Sequence, residues 1–575
     1  MPVWQWVAIH AGAVLFLAVL CYGTGRALIA RLPCSSDGLR AAIATGAGLC
    51  VFGQLLFIAA TFGALTRGAV FALLALMALL SARFVRELWL LIVRAPKSLL
   101  WMLGGGSILP FLHALYPPTG WDATMYHLTY ARVFAETGSL VYIGHMRFPV
   151  FPQLNEMWFT AALLVANDVT AQLTQFLCFV ATAAAVGAMA RPLAGLRGAW
   201  LAIAILCSAP VAAFLASNAY VEWGLTMAVT LAVAAWSRWR VTAHAGWAFL
   251  IGVFAGMAAA TKYNGLLFLA WSGVAMLVVR SPRRIRDWLL FALAVLLVAA
   301  PWYARIAAWT GNPVFPYATS VFGANDWRLD AGASLHPHHL YTAPTVRLWL
   351  TRNLYNLRLW VLALTPLAAI GAFFDRRVRF SFFGALLFVA VFWRYDSRFM
   401  LPCIPLLAIP AAVAIPTITA AMRERMRGPV MAAAAILALL PTTVWNLDIL
   451  RVSGAPPRTA AQRDAYLAKR IWPYDAIRFL QKTAGAARTV YVFYGENGSY
   501  YWPGRYLGDF FGPYRYELVL PYLDRPEQLA SVLRSFGVEY AIAPPAVGFR
   551  PPPGSPFELV YSSRSARAYR IRSSQ

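Results

Sequence analysis

Apolar residues fill the first three-quarters of the chain in blocks of about twenty, each closed by a short polar segment, which is the length a helix needs to cross a bilayer. Blocks begin at Val3 and then near Ala41, Ala69, Leu99, Val169, Trp200, Tyr220, Ala245, Gly265, Trp288, Leu359, Ser381, Phe399 and Pro429. The pattern predicts an all-α polytopic membrane protein of about 14 transmembrane helices. The first block, Val3 to Leu28, is too long for a signal-peptide core and has no cation before Arg26, so it is expected to be retained as a span. The block at Ala69 to Val93 contains Arg83, Arg86 and Glu87, and a short span followed by an interfacial helix fits it equally well.

Beyond residue 446 the pattern changes. Charges of both signs mix with turn residues, Thr489 to Tyr494 and Glu539 to Ala543 alternate as strands do, and Asp475 to Lys482 and Pro526 to Phe536 carry a helical period. The expected organisation is a membrane domain over 1–446 and a small α/β domain over 447–575. Large loops are expected at 117–168 and 306–351.

Composition narrows the class. The chain is 60% apolar and 13% charged, which excludes an ordinary soluble protein. Its formal charge of +26 would suggest a nucleic-acid partner in a soluble chain. Here the cations cluster in alternate loops instead, at Arg83/Arg86/Arg94/Lys97, Arg191/Arg197, Arg238/Arg240, Arg280/Arg283/Arg284/Arg286, Arg376/Arg377/Arg379 and Arg423/Arg425/Arg427. The positive-inside rule makes those loops cytoplasmic and needs no nucleic acid. It places the N-terminus, both large loops and the C-terminal domain outside; the expected location is a bacterial-type plasma (inner) membrane. Five of the six cysteines lie in apolar blocks, so they are expected to be packing residues and not a disulfide framework.

Ionisable groups at membrane depth or at its face are costly and therefore candidates for function. The first outer loop holds Asp122, Tyr126, His127 and Tyr130, and Asp122, Tyr126 and Thr129 or Tyr130 share one side if the stretch is helical. An N-terminal cap on an interfacial helix is an equally open reading of the aspartate. Glu156 is a second carboxylate nearby in sequence, and spacing does not rank the two as general base. Cations outside the cytoplasmic clusters are few: Arg147, Lys262 beside Tyr263, Arg305, Arg394 and Arg398. Such isolated cations are suited to hold a phosphate. His336, His338 and His339 could ligate a metal, although an ordinary polar loop is the simpler reading. No phosphate-binding glycine loop is present, and aromatics at Tyr494, Tyr500, Tyr501, Trp502 and Tyr506 suit either sugar stacking or core packing.

With these residues the sequence resembles the GT-C superfamily of integral-membrane glycosyltransferases, in the branch of aminoarabinose transferases and protein O-mannosyltransferases. The carriers are Asp122 with Tyr126, His127 and Tyr130; Phe151 to Leu154 with Glu156; Tyr220-Val221-Glu222; Thr261-Lys262-Tyr263; Pro301, Trp302 and Arg305 with Gly311, Asn312, Pro313 and Pro316; and Arg398, Pro402 and Pro405. The resemblance implies transfer of a sugar from a polyprenyl-phosphate donor to a glycan, lipid or protein acceptor on the outer face. It implies Asp122 as general base, with Glu156 as the candidate second carboxylate. Tyr126, His127, Arg147, Lys262, Tyr263, Arg305 and Arg398 would bind substrate, and Lys262, Arg305 and Arg398 would steady the departing phosphate. The chain departs from the pattern where Ala123 follows Asp122 and where Arg147-Phe148 replaces a lysine before the proline turn. No cofactor is expected, a divalent metal being left open. A transporter or flippase of an amphiphile is the alternative from another class.

Overall fold

The computed structural model describes residues 1–34, 36–279, 284–323, 355–419, 422–485, 487–508, 516–545 and 549–572. The histidines at 336, 338 and 339, most of the loop 306–351, and Arg280 and Arg283 lie outside these residues. Two compact units are formed. The first takes residues 1–116, 152–302 and the described part of 344–456; the second takes 117–151, the described part of 303–343, and the described residues from 457 onward.

The first unit is helical. Among the described residues, five helices are long and apolar enough to cross a membrane: Val3–Leu28, Asp37–Thr61, Asp168–Cys207, Leu357–Phe374 and Glu424–Ser453. Two bent pairs, Arg67–Ala82 with Val85–Arg94 (63°) and Arg284–Val298 with Ala300–Thr310 (49°), raise the number to seven. Shorter apolar helices, among them Ala245–Thr261, Asn264–Val278 and Cys403–Thr419, complete the packing. The 40-residue helix contains two of the sequence blocks, and Gly195, at φ 69° and ψ −173°, breaks its regular geometry between them. The block with internal charges bends near Arg83 and Phe84. Its Glu87 accepts from Arg26 at 2.8 Å and Arg40 at 3.4 Å, so the charges that blurred the sequence pattern are paired with the first two helices.

Those first two helices touch backbone to backbone. A Cβ on Gly48 would lie 2.0 Å from the Cys21 carbonyl oxygen, and one on Gly25 would lie 1.8 Å from that of Ala44. Small residues allow such an approach where apolar helices pack. Gly48→Ala has no flexible neighbour to displace and is expected to cost about 1–3 kcal/mol as an overpacking change. A thermal midpoint equal to wild type would contradict the close crossing.

The second unit contains the α/β element. Strands β1 (Thr489–Val492), β2 (Arg505–Leu507), β3 (Tyr540–Ala543), β4 (Phe557–Ser562) and β5 (Arg567–Ile571) form one sheet in the order β2-β1-β3-β5-β4. β1 pairs in parallel with β2 and β3, and β5 pairs antiparallel with β3 and β4. One core joins Tyr491, Phe493, Tyr516, Leu529, Leu533 and Phe549, all essentially inaccessible. Each large apolar side chain so buried contributes about 1.5–3 kcal/mol. Trp502 and Tyr506 belong to a second buried cluster with Ile477 and Leu480, so these two aromatics are packing residues. The six cysteines are free, five of them buried.

Candidate active site

Each unit contains one constellation of polar residues. In the second unit, Asp122 is 7% exposed and leads into a π-helical turn, Ala123–His127, continued by the α-helix Leu128–Thr137. A π turn adds one residue to a helical turn and is frequent at functional sites, because it turns a side chain out of regular register. Tyr126 donates its hydroxyl to Asp122 Oδ2 at 2.8 Å, which realises the i, i+4 pair expected from the sequence. Thr129 is turned inward instead, bonding the carbonyls of Thr124 at 3.2 Å and Met125 at 3.1 Å. The Tyr130 hydroxyl bonds the Phe148 carbonyl and ties the helix to the Arg147-Phe148 turn. His127 is buried with its ring 4.1 Å from that of Tyr126 and 6.1 Å from that of Phe151. Arg147 lies over Phe148, with Nη1 3.7 Å from Met125 Sδ. Arg305 donates to the Phe151 carbonyl at 2.7 Å and lies over Trp309.

The π turn packs on the 3₁₀ turn Glu496–Tyr501 of the α/β element. Arg132 donates to the Trp502 carbonyl at 2.9 Å, and the Tyr501 hydroxyl to that of Pro118 at 2.5 Å. Tyr494, just before this turn, holds φ at +59°, a costly conformation for an aromatic residue. It brings in Glu496, a carboxylate that sequence reasoning did not select. Its only signal was a polar Glu-Asn-Gly-Ser run amid aromatics, and nothing in that run tells of burial. Burial pushes the Glu496 carboxyl from its ordinary 4.5 to about 8, against the pull of the Arg147 guanidinium. Burial likewise lowers His145 to about 4, helped by Arg505 and Arg132.

A carboxyl raised on folding stabilises the folded state fully below its unfolded pKa, and that contribution disappears as pH rises through the folded value. The Glu496 contribution is thus complete below about pH 4.5 and lost through about pH 8. Thermal midpoints of the full-length protein should fall across this window, and Glu496→Gln should flatten the fall. Parallel profiles for the two proteins would contradict it.

The first unit carries the other constellation. Glu222 opens the helix Glu222–Thr242 and is 1% exposed. Its Oε1 lies 2.8 Å from Lys262 Nζ and 3.8 Å from Arg398 Nε, and its Oε2 accepts from the Val221 amide at 3.2 Å. Lys262 is presented by a chain break. It ends the helix Ala245–Thr261 in extended conformation, φ −161°, before Asn264–Val278 begins, and half-buried Tyr263 follows it in the gap. Arg398 sits in the 3₁₀ turn Ser397–Met400, 3.1 Å from Asp396 Oδ2. Aromatic faces flank both cations, Phe399 under Lys262 at 4.6 Å and Tyr220 under Arg398 at 5.3 Å. Two cations and two carboxylates leave the group neutral, so an arriving phosphate would share cations already paired. Sequence reasoning chose Lys262 and Arg398 as phosphate-holding cations and named Glu222 only as a carrier of the resemblance, without pairing it with them.

Glu156 belongs to this first unit. It is fully buried in the helix Leu154–Val165, whose Asn155 donates to the Val221 carbonyl at 3.3 Å and accepts from Thr261 at 3.3 Å. The structure therefore assigns Asp122 and Glu156 to different units, and the carboxylate on the turn that packs against the Asp122 turn is Glu496. Among the described residues no group of three or more His, Cys, Asp or Glu is arranged to hold a metal ion.

Comparison with known proteins adds the following. A family model described as SF2091/S2213 matches residues 462–570. Within the curated proteins, the uncharacterized protein SF2093/S2215 of Shigella flexneri is 35% identical over 72 residues, 12% of this chain and 36% of that protein. The chain thus matches only about a third of that relative's length. The crystal structure of ArnT from Cupriavidus metallidurans in the apo state superposes with a TM-score of 0.56 at 16% identity, covering 83% of this chain and 99% of that one. The same protein bound to undecaprenyl phosphate gives 0.54 at 16% identity, covering 84% and 100%. Mostly helical with a small C-terminal sheet, the chain shares the fold of ArnT.

Proposed function

We propose that the protein is a multi-pass inner-membrane glycosyltransferase that moves a hexosyl or pentosyl group from a polyprenyl-phosphate carrier to an acceptor hydroxyl on the outer face, with about 14 spans and the α/β element outside. The observation that carries the reading is Asp122, a buried carboxylate held by Tyr126 on a π turn in a chain with the ArnT fold. The undecaprenyl phosphate bound to ArnT supports an isoprenoid phosphate as the carrier here.

In this reading Asp122 accepts the proton of the acceptor hydroxyl as its oxygen attacks the anomeric carbon. The bond from that carbon to the phosphate oxygen breaks, and the phosphate leaves with the electron pair. Tyr126 fixes the plane of the carboxylate through Oδ2, and His127 and Arg147 help shape the acceptor side. Lys262, Arg305 and Arg398 are the cations assigned to the charge developing on the phosphate, and Tyr263 is assigned to substrate binding. Glu156 is the candidate second carboxylate. The acceptor is a glycan, a lipid or a protein, and the chemistry calls for no cofactor.

The test is transfer in proteoliposomes containing the purified full-length chain and a polyprenyl-phosphate sugar labelled in the sugar. Label released from the carrier onto an acceptor fraction is the expected result. Passage of intact carrier between leaflets without release of sugar would overturn the assignment.

A further inference from the structure

A recess lies in the first unit, far from Glu222. Its volume is about 1090 Å³, above the range of roughly 300–1,000 Å³ usual for small-ligand sites. The helix Glu222–Thr242 has Glu222 at one end and Arg238 and Arg240, which line the recess, at the other. Eighteen residues at 1.5 Å of rise put Arg240 about 27 Å along that helix from Glu222.

The walls divide by chemistry. The floor is apolar and buried, formed by Ile203, Val233, Trp236, Phe380 and Ile409, with Trp236 and Phe380 stacked at 4.1 Å. The rim carries Arg94, Arg191, Arg238, Arg240, Arg376 and Arg377, against the single carboxylate Asp37. That carboxylate is already 3.0 Å from Arg40, and Arg377 is 2.6 Å from Asp375. Arg94, Arg191, Arg240 and Arg376 have no acidic partner among the described residues. These are the cations that the positive-inside pattern places in the cytoplasm. Cationic rim, apolar floor and volume together match an anion that carries hydrocarbon, and basic pockets between helices on that side of a membrane hold anionic lipid headgroups.

We infer that this recess is a binding site for an anionic phospholipid, its phosphate at the arginine rim and part of its acyl chains against the floor. The inference does not rest on the transferase reading. A lipid held there would bridge the helices Lys97–His113, Asp168–Cys207 and Glu222–Thr242 with the segment at Arg376, all of which contribute to the walls.

Native mass spectrometry of the full-length protein, exchanged into neutral detergent and offered equal amounts of phosphatidylglycerol and phosphatidylcholine, tests it. Phosphatidylglycerol should remain bound preferentially. At about a factor of five per arginine, Arg191→Ala/Arg240→Ala/Arg376→Ala should weaken its retention about 100-fold. Alanine at Arg525, Arg550 and Arg564, exposed cations of the other unit, should leave retention unchanged. Should the triple variant fail to fold, the single reversal Arg240→Glu should still weaken retention more than tenfold against the same control. Equal retention of the two lipids, unaltered retention by these variants, or displacement of the lipid by inorganic phosphate at matching concentration would each overturn the inference.

Discussion

Asp122→Asn should lower sugar transfer by about 10²–10⁴-fold, the range over which a positioned general base acts. The substitution keeps the shape of the side chain and leaves an oxygen for the Tyr126 hydroxyl, now 2.8 Å from Oδ2, so folding should be preserved. What it removes is the capacity to take a proton. A thermal midpoint within a degree or two of wild type, with transfer near background, is the expected pair of results. Tyr126→Phe provides the graded companion. It deletes one hydrogen bond to a charged group, worth about 1.5–3 kcal/mol, and should cost roughly tenfold to a hundredfold in turnover. Wild-type turnover by Asp122→Asn would remove the aspartate from the chemistry altogether.

Lys262→Met is expected to be the most damaging single change in the first unit. Glu222 is buried, and its nearest cation is Lys262 Nζ at 2.8 Å. The next is Arg398, at 3.8 Å, and that guanidinium is nearer to Asp396, at 3.1 Å. Removing one partner of a buried ion pair strands the other and costs about 3–5 kcal/mol. The double variant Glu222→Gln/Lys262→Met removes both charges and should recover most of the lost stability. It should not recover transfer, because the cation assigned to the leaving phosphate is gone, a loss of about 10²–10³-fold by comparison with other stabilisers of developing charge. Thermal unfolding and transfer rates on the two variants separate these effects. A double variant as unstable as the single one would show that Lys262 stabilises the protein by some other contact.

Much of this architecture was legible in the residues. Helix follows hydrophobic length closely enough that the blocks at Ala41, Ala245 and Ser381 coincide with observed helices, and the four C-terminal segments assigned as strand or helix are found as such. The number of spans was less legible. The blocks at Val169 and Trp200 form one 40-residue helix with a break at Gly195, and the block Ala69 to Val93 is a bent pair of helices, its Glu87 in a partly buried pair with Arg26, so blocks and spans do not count alike. Strands β4 and β5 escaped notice because their stretches, Phe557–Ser562 and Arg567–Ile571, mix charged and aromatic residues on a half-exposed hairpin. At the candidate site, Asp122 with Tyr126 could be foreseen, since four residues of helix bring them together. Glu222 with Lys262 and Arg398, and Glu496 on the turn against residues 123–127, could not. Their partners are distant in sequence, and only the fold decides which carboxylates lose their water.

The central claim concerns the donor, so mass spectrometry of lipids that copurify with the full-length protein in mild detergent tests it most directly. The account predicts a polyprenyl phosphate or its glycosyl derivative, enriched over the bulk membrane extract and depleted in Lys262→Met. Bulk phospholipid alone, with no isoprenoid phosphate in either preparation, would contradict it.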